Sequence, residues 1–470
     1  MYSEVASFIV CRNSRGEMIR ATLLKLTRYQ AVFEVYKPEG IFRLSEVLND
    51  FKIMMKDETV YAGRAIVSNL INTGFLVICE ASLEDSWKEQ DLMLSFQDAE
   101  TLKEGFSSVK KEWEDVGKVA PDFKVVVADM EMLFGDLRHW LNQVEAAIQM
   151  EAGDLAEREQ QVIQSLKDPI LSTVTYSFEK FERAAKNIHA ELEPFYRHYA
   201  KRLLHPWLLC SPFAERVFHK PLGYAGDYGM VSMILDDPLK GGSFYAKMMN
   251  FYFLSQLPAE AHRNRIQYLT ERLKDESGRV VRQGGCAKIF NVGCGPAKEV
   301  HDFLSESDLC EKVQFNLLDF DDEVLQRTGD LLAQAGQTLG RKTDIRMIKK
   351  SVLDLLKEAS RSNEHWQGEA YDFVYCAGLF DYLSDRLCKK LMSLFYDLLA
   401  PGGLLVVTNV EASNPARNIM ELILEWHLIY RDANQLDSLV PDAVPFGSSC
   451  IKADPTGVNL LMEIRKPEDV

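Results

Sequence analysis

The amino-acid sequence predicts a multidomain protein that combines a small N-terminal β-barrel, a central α-helical region and a C-terminal parallel α/β sheet. Short strand-like runs fill the first 95 residues, and apolar residues at helical spacing follow to about residue 215. Beyond that point, buried strand-like runs alternate with helix-length segments, a pattern typical of a parallel α/β sheet. We therefore expect domains at residues 1–95, 96–215 and 216–470.

The first domain is predicted from four β-rich runs, ATLLKL, AVFEVYK, RAIVSNL and GFLVICEASL, each bounded by turn signals. Asn72-Thr73-Gly74 looks like a hairpin connection between the last two runs. Several short strands at this spacing indicate a small barrel.

This segment resembles a PilZ-like domain, from the family that often binds cyclic di-GMP. That family reads its ligand with an RxxxR element and, in the next strand, a D/N-x-S-x-x-G element. Arg15 or Arg20 could supply part of the first element, but residues 25–30 (KLTRYQ) lack the acidic or amide residue and the glycine of the second. We therefore expect a barrel that does not bind cyclic di-GMP and that serves in docking or dimerisation. In the second case the protein would be a homo-oligomer.

The central region is predicted to be helical because its apolar residues recur at steps of three and four. One stripe consists of Leu133, Leu137, Trp140, Val144 and Ile148. A second helix is expected from about Pro169 to Leu204, with a stripe formed by Ile170, Val174, Phe178, Phe181 and Ile188. A helical bundle that joins the other two domains is the simplest interpretation.

Charge and composition narrow the partners and the location. The formal net charge of −16 would repel nucleic acid phosphates, and the longest basic clusters, such as Arg341-Lys342 and Lys349-Lys350, are short. The nine cysteines form no CxxC pair, so neither a disulfide framework nor a metal site is expected. No run approaches the roughly 20 apolar residues of a transmembrane segment, and the N-terminus lacks the pattern of a secretory signal. These features predict a cytoplasmic protein that acts on a small molecule or another protein.

The third domain is predicted to begin with a helix over Phe244–Lys274. Five buried strands follow at helix-length intervals: AKIFNVG, VQFNLLD, DIRMIKKSV, YDFVYCAG and GLLVVTNV. The tail, SSCIKADPTGVNLLMEIRK, indicates two more strands joined by the turn Asp454-Pro455-Thr456-Gly457. The sheet is therefore expected to close with a hairpin.

A glycine-rich turn follows the first of these strands, where Gly293-Cys294-Gly295 precedes a helix that begins near Lys298. Glycines let the backbone approach a ligand, and a helix N-terminus offers free N–H groups. Asp319 ends the next strand, 24 residues after Gly295, where a carboxylate can accept the ribose hydroxyls of an adenosine group. These features fit a dinucleotide, S-adenosylmethionine or a purely structural turn, and Lys298 stands where a dinucleotide fingerprint has its third glycine.

The segment LLAPGGLLVVTNV and the closing hairpin resemble the class I S-adenosylmethionine-dependent methyltransferases, in which a PGG-like turn precedes the fifth strand and the sheet ends with an antiparallel strand. The resemblance covers about residues 285–470. It implies a Rossmann-like methyltransferase fold, S-adenosyl-L-methionine as the cofactor, and methyl transfer as the activity. The residues that it places at the cofactor are Asn291, Gly293, Cys294, Gly295, Asp319, Phe320, Ser351, Val352 and Cys376.

Three longer segments resemble a narrower family, the bacterial methyltransferases of 3-hydroxypalmitic acid methyl ester biosynthesis. They are PLGYAGDY at 221–228, AGLFDYL at 377–383 and NVEASNPARNIMELILEWHLIYRD at 409–432. The resemblance implies carboxyl O-methylation of a 3-hydroxy fatty acid or related lipid acid, which gives a methyl ester signal for quorum sensing. The residues expected near the reacting centre are Tyr224, Asp227, Asp381, Tyr382 and Arg431.

Each of these candidates also has a structural interpretation. The turn at residues 224–228 could simply join two helices, Asp381 could cap the following helix, and Arg431 could form a surface ion pair. A carboxylate acceptor needs no general base because it is ionised at neutral pH, and His427 is the only histidine within the three segments. The alternative function is a regulatory or binding protein, in which a sensor barrel accompanies a methyltransferase-like nucleoside-binding module.

Overall fold

The computed structural model shows a chain that forms two compact units. It describes residues 7–35, 42–55, 58–72, 77–84, 110, 114–150, 154–361 and 370–468. The first unit consists of the described residues within Met1–Met230, Asp237–Gln256 and Pro415–His427, and the second of those within Val231–Asp236, Leu257–Asn414 and Leu428–Val470. The predicted barrel and helical region thus share one unit, to which three stretches of the third predicted domain also belong. The boundary expected near residue 95 lies outside the described residues.

Six strands of the first unit form a closed barrel. They are β1 Phe8–Arg12, β2 Met18–Leu26, β3 Gln30–Val35, β4 Val47–Met55, β5 Glu58–Asn72 and β6 Val77–Leu83. The order is β1-β2-β3-β6-β5-β4, and β1 pairs with both β2 and β4, so the barrel leaves no strand edge open. The predicted small barrel is confirmed, and the four predicted runs correspond to β2, β3, β5 and β6. Of the predicted hairpin connection, Thr73 and Gly74 lie outside the described residues.

The sequence pattern does not reveal β4, because polar residues interrupt its alternation. Asn49 and Asp50 are both exposed, and Asp50 has a φ of 49°. The pairing of β4 with β5 shifts register between Leu48 and Phe51, which marks a β-bulge at this place. On either side of the bulge, Phe51 and Leu48 are fully buried in the barrel.

Helices follow the barrel along the chain: α1 Pro121–Met150, α2 Leu155–Ala185, α3 Glu193–Leu208, α4 Pro212–His219, α5 Tyr228–Leu235 and α6 Phe244–Leu254. The domain boundary predicted near residue 215 falls inside α4. Four of the five residues of the second predicted stripe are buried in α2: Ile170, Val174, Phe178 and Phe181. In α1 the predicted stripe is wrong at Trp140, which is exposed, because the buried face runs through Phe134 and Leu141.

Prolines divide two helices that the sequence pattern predicts as continuous. The run from Pro169 to Leu204 contains the end of α2 and all of α3, whose first turn holds Pro194. The run from Phe244 to Lys274 likewise divides between α6 and the next helix, which has Pro258 as its second residue. A proline lacks the N–H that an interior position donates, but it is tolerated in the first turn. Pro194 and Pro258 therefore each mark the start of a new helix, whereas Pro169 lies inside α2.

A seven-stranded sheet forms the centre of the second unit. Its strands are β7 Ala287–Val292, β8 Val313–Asp319, β9 Asp344–Lys349, β10 Tyr371–Cys376, β11 Leu399–Val410, β12 Ser449–Ala453 and β13 Asn459–Arg465. The order is β12-β13-β11-β10-β7-β8-β9, with β7 to β11 parallel and β13 antiparallel to both of its neighbours. The five predicted strands and the closing hairpin are confirmed, and in its turn the Gly457 N–H donates to the Asp454 carbonyl at 2.9 Å.

The helices of the second unit are α7 Leu257–Arg282, α8 Lys298–Glu306, α9 Asp322–Leu339, α10 Val352–Arg361, α11 Asp385–Asp397 and α12 Ala433–Asp437. Apolar clusters cover both faces of the sheet, one around Phe303 and Phe315 and the other around Met392 and Phe395. β7 lies between β8 and β10 in the sheet. The connection after β7 leads to β8 on one side of it, and the connection after β10 leads to β11 on the other side. Open α/β sheets bind ligands at such a switch point. Among the described residues, no helix is long and apolar enough to cross a membrane.

Residues 415–427 follow β11 in the chain but belong to the first unit. A short π-helix, Ile419–Ile423, begins beside Glu182 of α2. The Glu182 carboxylate accepts the N–H groups of Asn418 and Ile419, at 3.2 and 2.8 Å. These bonds attach the start of the segment to α2.

A buried ion pair holds the other end of this segment. The Glu425 side chain is 1% exposed, and its carboxylate accepts a hydrogen bond from Lys201 of α3 at 2.8 Å. Burial alone would raise the pKa of Glu425, but the Lys201 ammonium, together with Arg197 and Lys220, lowers it to about 2. Glu425 therefore stays ionised in the interior of the unit. Its backbone is in the left-handed region, with a φ of 49°.

Glu425→Gln is expected to destabilise the first unit by about 3–5 kcal/mol at neutral pH, because it leaves the Lys201 ammonium buried without its partner. The folded pKa of Glu425 lies below its unfolded value, so its stabilisation is complete above pH 4.5 and is lost as the pH falls toward 2. Hydrogen exchange across residues 415–427 at pH 7 should accelerate in the variant.

Glu421→Gln on the same segment is the matched control, and it is expected to change the stability at pH 7 in the opposite direction. Burial raises the pKa of Glu421 to about 7, against the nearby Arg417, so its ionisation costs stability as the pH rises from 4.5 to 7. Exchange at pH 7 should therefore slow in this variant. Equal acceleration in both variants would contradict the assignment of the two carboxylates.

Candidate functional site

The turn after β7 lies at the switch point of the sheet. Gly293 and Gly295 have φ values of 75° and 50°, in the left-handed region that favours glycine. The N–H groups of Gly293 and Cys294 donate to the Leu318 carbonyl of β8, at 2.8 and 3.0 Å. A Cβ built on Gly295 meets nothing within 4 Å. Backbone conformation rather than crowding thus requires glycine here, and Gly295 borders open space.

Asp319, at the end of β8, contacts this turn directly. One carboxylate oxygen, Oδ2, accepts the Gly295 N–H at 3.1 Å, and the other, Oδ1, accepts those of Phe320 and Asp321 at 2.7 and 3.2 Å. Burial raises the pKa of Asp319, whereas these three N–H donors lower it. A carboxylate has about four acceptor positions, so Oδ2 keeps one for a ligand. The structure thus brings together the glycine turn and the strand-end carboxylate.

The predicted residues after β9 lie beside this carboxylate. The Lys350 N–H donates to the Asp319 carbonyl at 2.9 Å, which brings the end of β9 alongside that of β8. The Ser351 hydroxyl donates to the Asp354 carboxylate at 2.5 Å and accepts the Asp354 N–H at 3.1 Å, so Ser351 caps α10. Two predicted neighbours are half-buried: Phe320 and Val352.

A buried polar network lies beneath the glycine turn. The Asn291 amide and the Tyr375 hydroxyl both donate to Glu299, at 3.1 and 2.9 Å, and burial raises the pKa of Glu299. Cys376 is fully buried, and burial raises the pKa of its thiol, which stays protonated. The side chains of Asn291 and Cys376 are thus enclosed by protein. Glu299 was not among the predicted site residues, and its one signal in the sequence is its place in the first turn of the helix after the glycines.

The tip after β10 holds Asp381 and Tyr382 in a short 3-10 helix, Phe380–Tyr382. Asp381 is 4% exposed, its carboxylate accepts the Val410 N–H at 2.7 Å, and its carbonyl accepts that of Ile429 at 2.7 Å. Burial raises the pKa of Asp381. The helix-cap interpretation is wrong, because α11 begins at Asp385 after Ser384. Asp381 instead attaches the end of β11 to this tip, and Tyr382 is half-buried beside it.

Arg431 forms the ion pair that one interpretation expected, with the exposed Asp385, but its own guanidinium is buried, and the structure speaks against a substrate clamp. Its side chain is 2% exposed. Every N–H of the guanidinium has a partner: Nε donates to Asp385, Nη1 to the Phe380 carbonyl and Asn409, and Nη2 to the Leu383 carbonyl and Asp385. An arginine has five N–H donors, so no donor remains for a substrate carboxylate. Arg431 is a structural residue that fixes the loop after β10.

Tyr224 and Asp227 belong to the first unit. Asp227 is 2% exposed, and its carboxylate accepts the Met230 N–H at 2.8 Å and the Arg216 Nε–H at 2.9 Å. It therefore caps α5 and pairs with α4, in agreement with the interpretation as a turn between helices. Gly226, with a φ of 74°, makes the bend, and Tyr224 is half-buried.

The barrel residues weighed as a nucleotide site are at the surface. Arg15 and Arg20 are exposed, and the Arg20 guanidinium lies 4.0 Å from the centroid of the Phe8 ring. Residues 25–30 span the end of β2 and the start of β3. The exposed position of these two arginines does not test whether the barrel binds cyclic di-GMP, so that expectation stays a prediction.

One group in the first unit has the residue types of a metal site. Glu193, Glu421 and His427 bring potential ligand atoms within 4.8 Å of one another. The two carboxylates already accept hydrogen bonds from arginines, Glu193 from Arg197 and Glu421 from Arg417. Burial lowers the pKa of His427, which is therefore neutral. The cationic partners make a structural role the simpler account of this group.

Comparison with known proteins gives remote structural likenesses. The chain matches no protein-family model and no curated protein. A possible exported protein from Bordetella parapertussis is similar at 19% identity and a TM-score of 0.43, over 64% of this chain and 97% of that chain. The N-methyltransferase NodS from Bradyrhizobium japonicum WM9, crystallised with S-adenosyl-l-homocysteine, is similar at 16% identity and a TM-score of 0.31, over 51% and 98%.

Magnesium protoporphyrin IX methyltransferase from Synechocystis PCC 6803, also solved with S-adenosyl-l-homocysteine, is similar at 9% identity and a TM-score of 0.32, over 45% of this chain and 87% of that chain. For this chain itself, the fold follows from its own strand order. An open parallel sheet closed by an antiparallel strand is the arrangement that the resemblance to class I methyltransferases implies.

Arg431→Met is expected to cost about 3–5 kcal/mol of stability, because it leaves the Phe380 and Leu383 carbonyls and the Asn409 amide oxygen without a donor. Arg431→Lys should not restore it, since an ammonium cannot reach all four groups. Thermal denaturation measures the loss, with the exposed Arg327→Met as the control. If the Arg431→Met protein kept its full stability and lost only turnover, the interpretation of Arg431 as a substrate clamp would be supported instead.

Proposed function

We propose that the second unit binds S-adenosyl-L-methionine at its switch point and transfers the methyl group. The observation that carries the proposal is the contact between the Gly295 N–H and the Asp319 carboxylate. A turn that borders open space and a carboxylate with one vacant acceptor position lie side by side at the carboxyl ends of β7 and β8. This combination suits an adenosyl group, whose ribose hydroxyl would donate to Asp319. The sequence resemblance to class I methyltransferases favours this cofactor over a dinucleotide.

The other residues would hold the cofactor as follows. Gly293 and Gly295 would face the methionine part, and Ser351 and Val352 the adenine. Ser351 offers mainly its backbone, because its hydroxyl already caps α10. The side chains of Asn291 and Cys376 are enclosed by protein, so these residues would support the glycine turn and the end of β10 without contacting the cofactor.

We further propose that the acceptor is a carboxylic acid, such as a 3-hydroxy fatty acid. The cofactor supplies an activated methyl group, and an ionised carboxylate can accept it without proton transfer. The chain's task is then to orient the acceptor and exclude water. No general base is then needed, and two further buried carboxylates of this unit are already engaged in hydrogen bonds: Glu299 with the Tyr375 hydroxyl and Asp381 with the Val410 N–H. The three sequence segments that resemble the methyl ester family support the lipid acid.

Asp319→Ala should weaken binding of S-adenosylmethionine at least tenfold, as expected for the loss of a hydrogen bond to a charged group. Isothermal titration calorimetry measures the dissociation constant. Asp322→Ala, at an exposed residue that pairs with Lys349, is the matched control and should bind normally. Equal affinity in the Asp319 variant would rule out the ribose contact.

Purified protein should transfer labelled methyl from S-adenosylmethionine to 3-hydroxy acids, and mass spectrometry should detect the methyl esters. An acyl-length series tests the lipid acid, and the corresponding alcohols are the control for a requirement for carboxylate. Cofactor binding with no transfer to any acid, together with binding of cyclic di-GMP, would favour the regulatory alternative instead.

A further inference from the structure

A buried arginine in the second unit has almost no partner. Arg265 lies in the third turn of α7 and is 8% exposed. Its guanidinium makes one hydrogen bond, from Nη2 to His262 Nε2 at 2.7 Å. Within the part of the chain that the structure describes, Arg265 forms no ion pair with a carboxylate. Four of its five N–H donors are therefore unused.

This situation is energetically unfavourable for the chain alone. A buried charge is costly unless it is paired and hydrogen-bonded. Burial lowers the pKa of Arg265, while Asp381 and Glu299 act on it only from beyond hydrogen-bonding distance. Arg431 shows the contrast, because all five of its donors have partners in the same unit. None of the Arg265 nitrogens is both enclosed and unpartnered, so its free donors border accessible space.

The guanidinium lies at the switch point. A Cβ built on Gly378, just after β10, would be 2.8 Å from Nη1 of Arg265. Gly378 has a φ of 81°, and its N–H donates to Thr408 at 3.0 Å, so its backbone position is fixed. The next residue, Leu379, is the nearest group to a Cβ built on Gly293, at 3.7 Å. Arg265 therefore stands beside the glycine turn, where the sheet forms its ligand crevice.

We propose that Arg265 binds the carboxylate of a ligand held in this crevice. The guanidinium fork matches a carboxylate in a bidentate geometry. His262 positions it, because burial lowers the pKa of His262 and leaves the imidazole neutral, with Nε2 as an acceptor. The α-carboxylate of S-adenosylmethionine and the carboxylate of the acceptor offer the same chemistry. The inference rests on the proposed function and extends it to a residue that no sequence motif indicated.

Calorimetry with two nucleosides tests the proposal. S-adenosylmethionine carries the α-carboxylate, and decarboxylated S-adenosylmethionine lacks it but keeps the rest. Arg265→Met should weaken binding of the first by tenfold or more and leave that of the second unchanged. Arg265→Lys, which keeps the charge but not the fork, should be intermediate. Arg282→Met in the last turn of the same helix is the control and should bind both nucleosides as the unmodified protein does.

The second source has its own readout. If the acceptor supplies the carboxylate, Arg265→Met should bind both nucleosides normally and raise KM for the acid at least tenfold. Unchanged affinity for both nucleosides together with an unchanged KM overturns the assignment. An unmodified protein that binds neither nucleoside overturns the proposed function, and the assignment with it.

A second variant guards against misfolding. Gly378→Ala retains Arg265 but places a methyl group 2.8 Å from Nη1, closer than the two atoms can pack, so it should displace the guanidinium and reproduce the effect of Arg265→Met. Circular dichroism and thermal denaturation identify variants that fold. A folded Gly378→Ala protein with unchanged binding and unchanged KM contradicts the proposed position of the guanidinium.

Discussion

The parallel register between β7 and β8 is the constraint on which the candidate site depends. Val292 pairs with Leu318, so the glycine turn and Asp319 leave the sheet at the same level. The Leu318 carbonyl then holds the turn, and the Gly295 N–H reaches the carboxylate. A slip of one residue would send Asp319 to the other face of the sheet and separate the two elements. The crevice is thus a product of strand pairing, and the side chains that line it are placed by that pairing.

The second unit treats its buried charges in two ways. Around the loop after β10, every N–H of the Arg431 guanidinium has a partner, and the Asp381 carboxylate accepts the Val410 N–H, so both residues help to hold the loop. Glu299 is similarly occupied by Asn291 and Tyr375. Arg265 is the exception, since a guanidinium buried to a similar degree keeps most of its donors. Where structural charges are satisfied so completely, an unsatisfied one points toward a ligand.

The sequence predicted what depends on local patterns. Hydrophobic runs located the seven strands of the sheet, and glycine spacing located the turn. It failed where a partner distant in sequence decides the outcome. Nothing in the sequence around Arg431 indicates that four backbone and side-chain groups between residues 380 and 409 will surround it. Pro194 and Pro258 were visible, yet each predicted helix was extended through its proline although the apolar residues that supported it lie before that proline. Arg265 has no motif, because only the fold brings α7 beside Gly378.

The exchange of segments between the two units has a consequence for biosynthesis. The first unit receives its last piece, residues 415–427, only after the ribosome has made most of the α/β sheet. The sheet in turn waits for β12 and β13, which are translated later still. Domains usually fold one after another from the N-terminus. Here the first unit is incomplete until residue 427 has been translated and the second until β13 has been, so each is finished only after most of the other has been made, and no single proteolytic cut would release either of them intact.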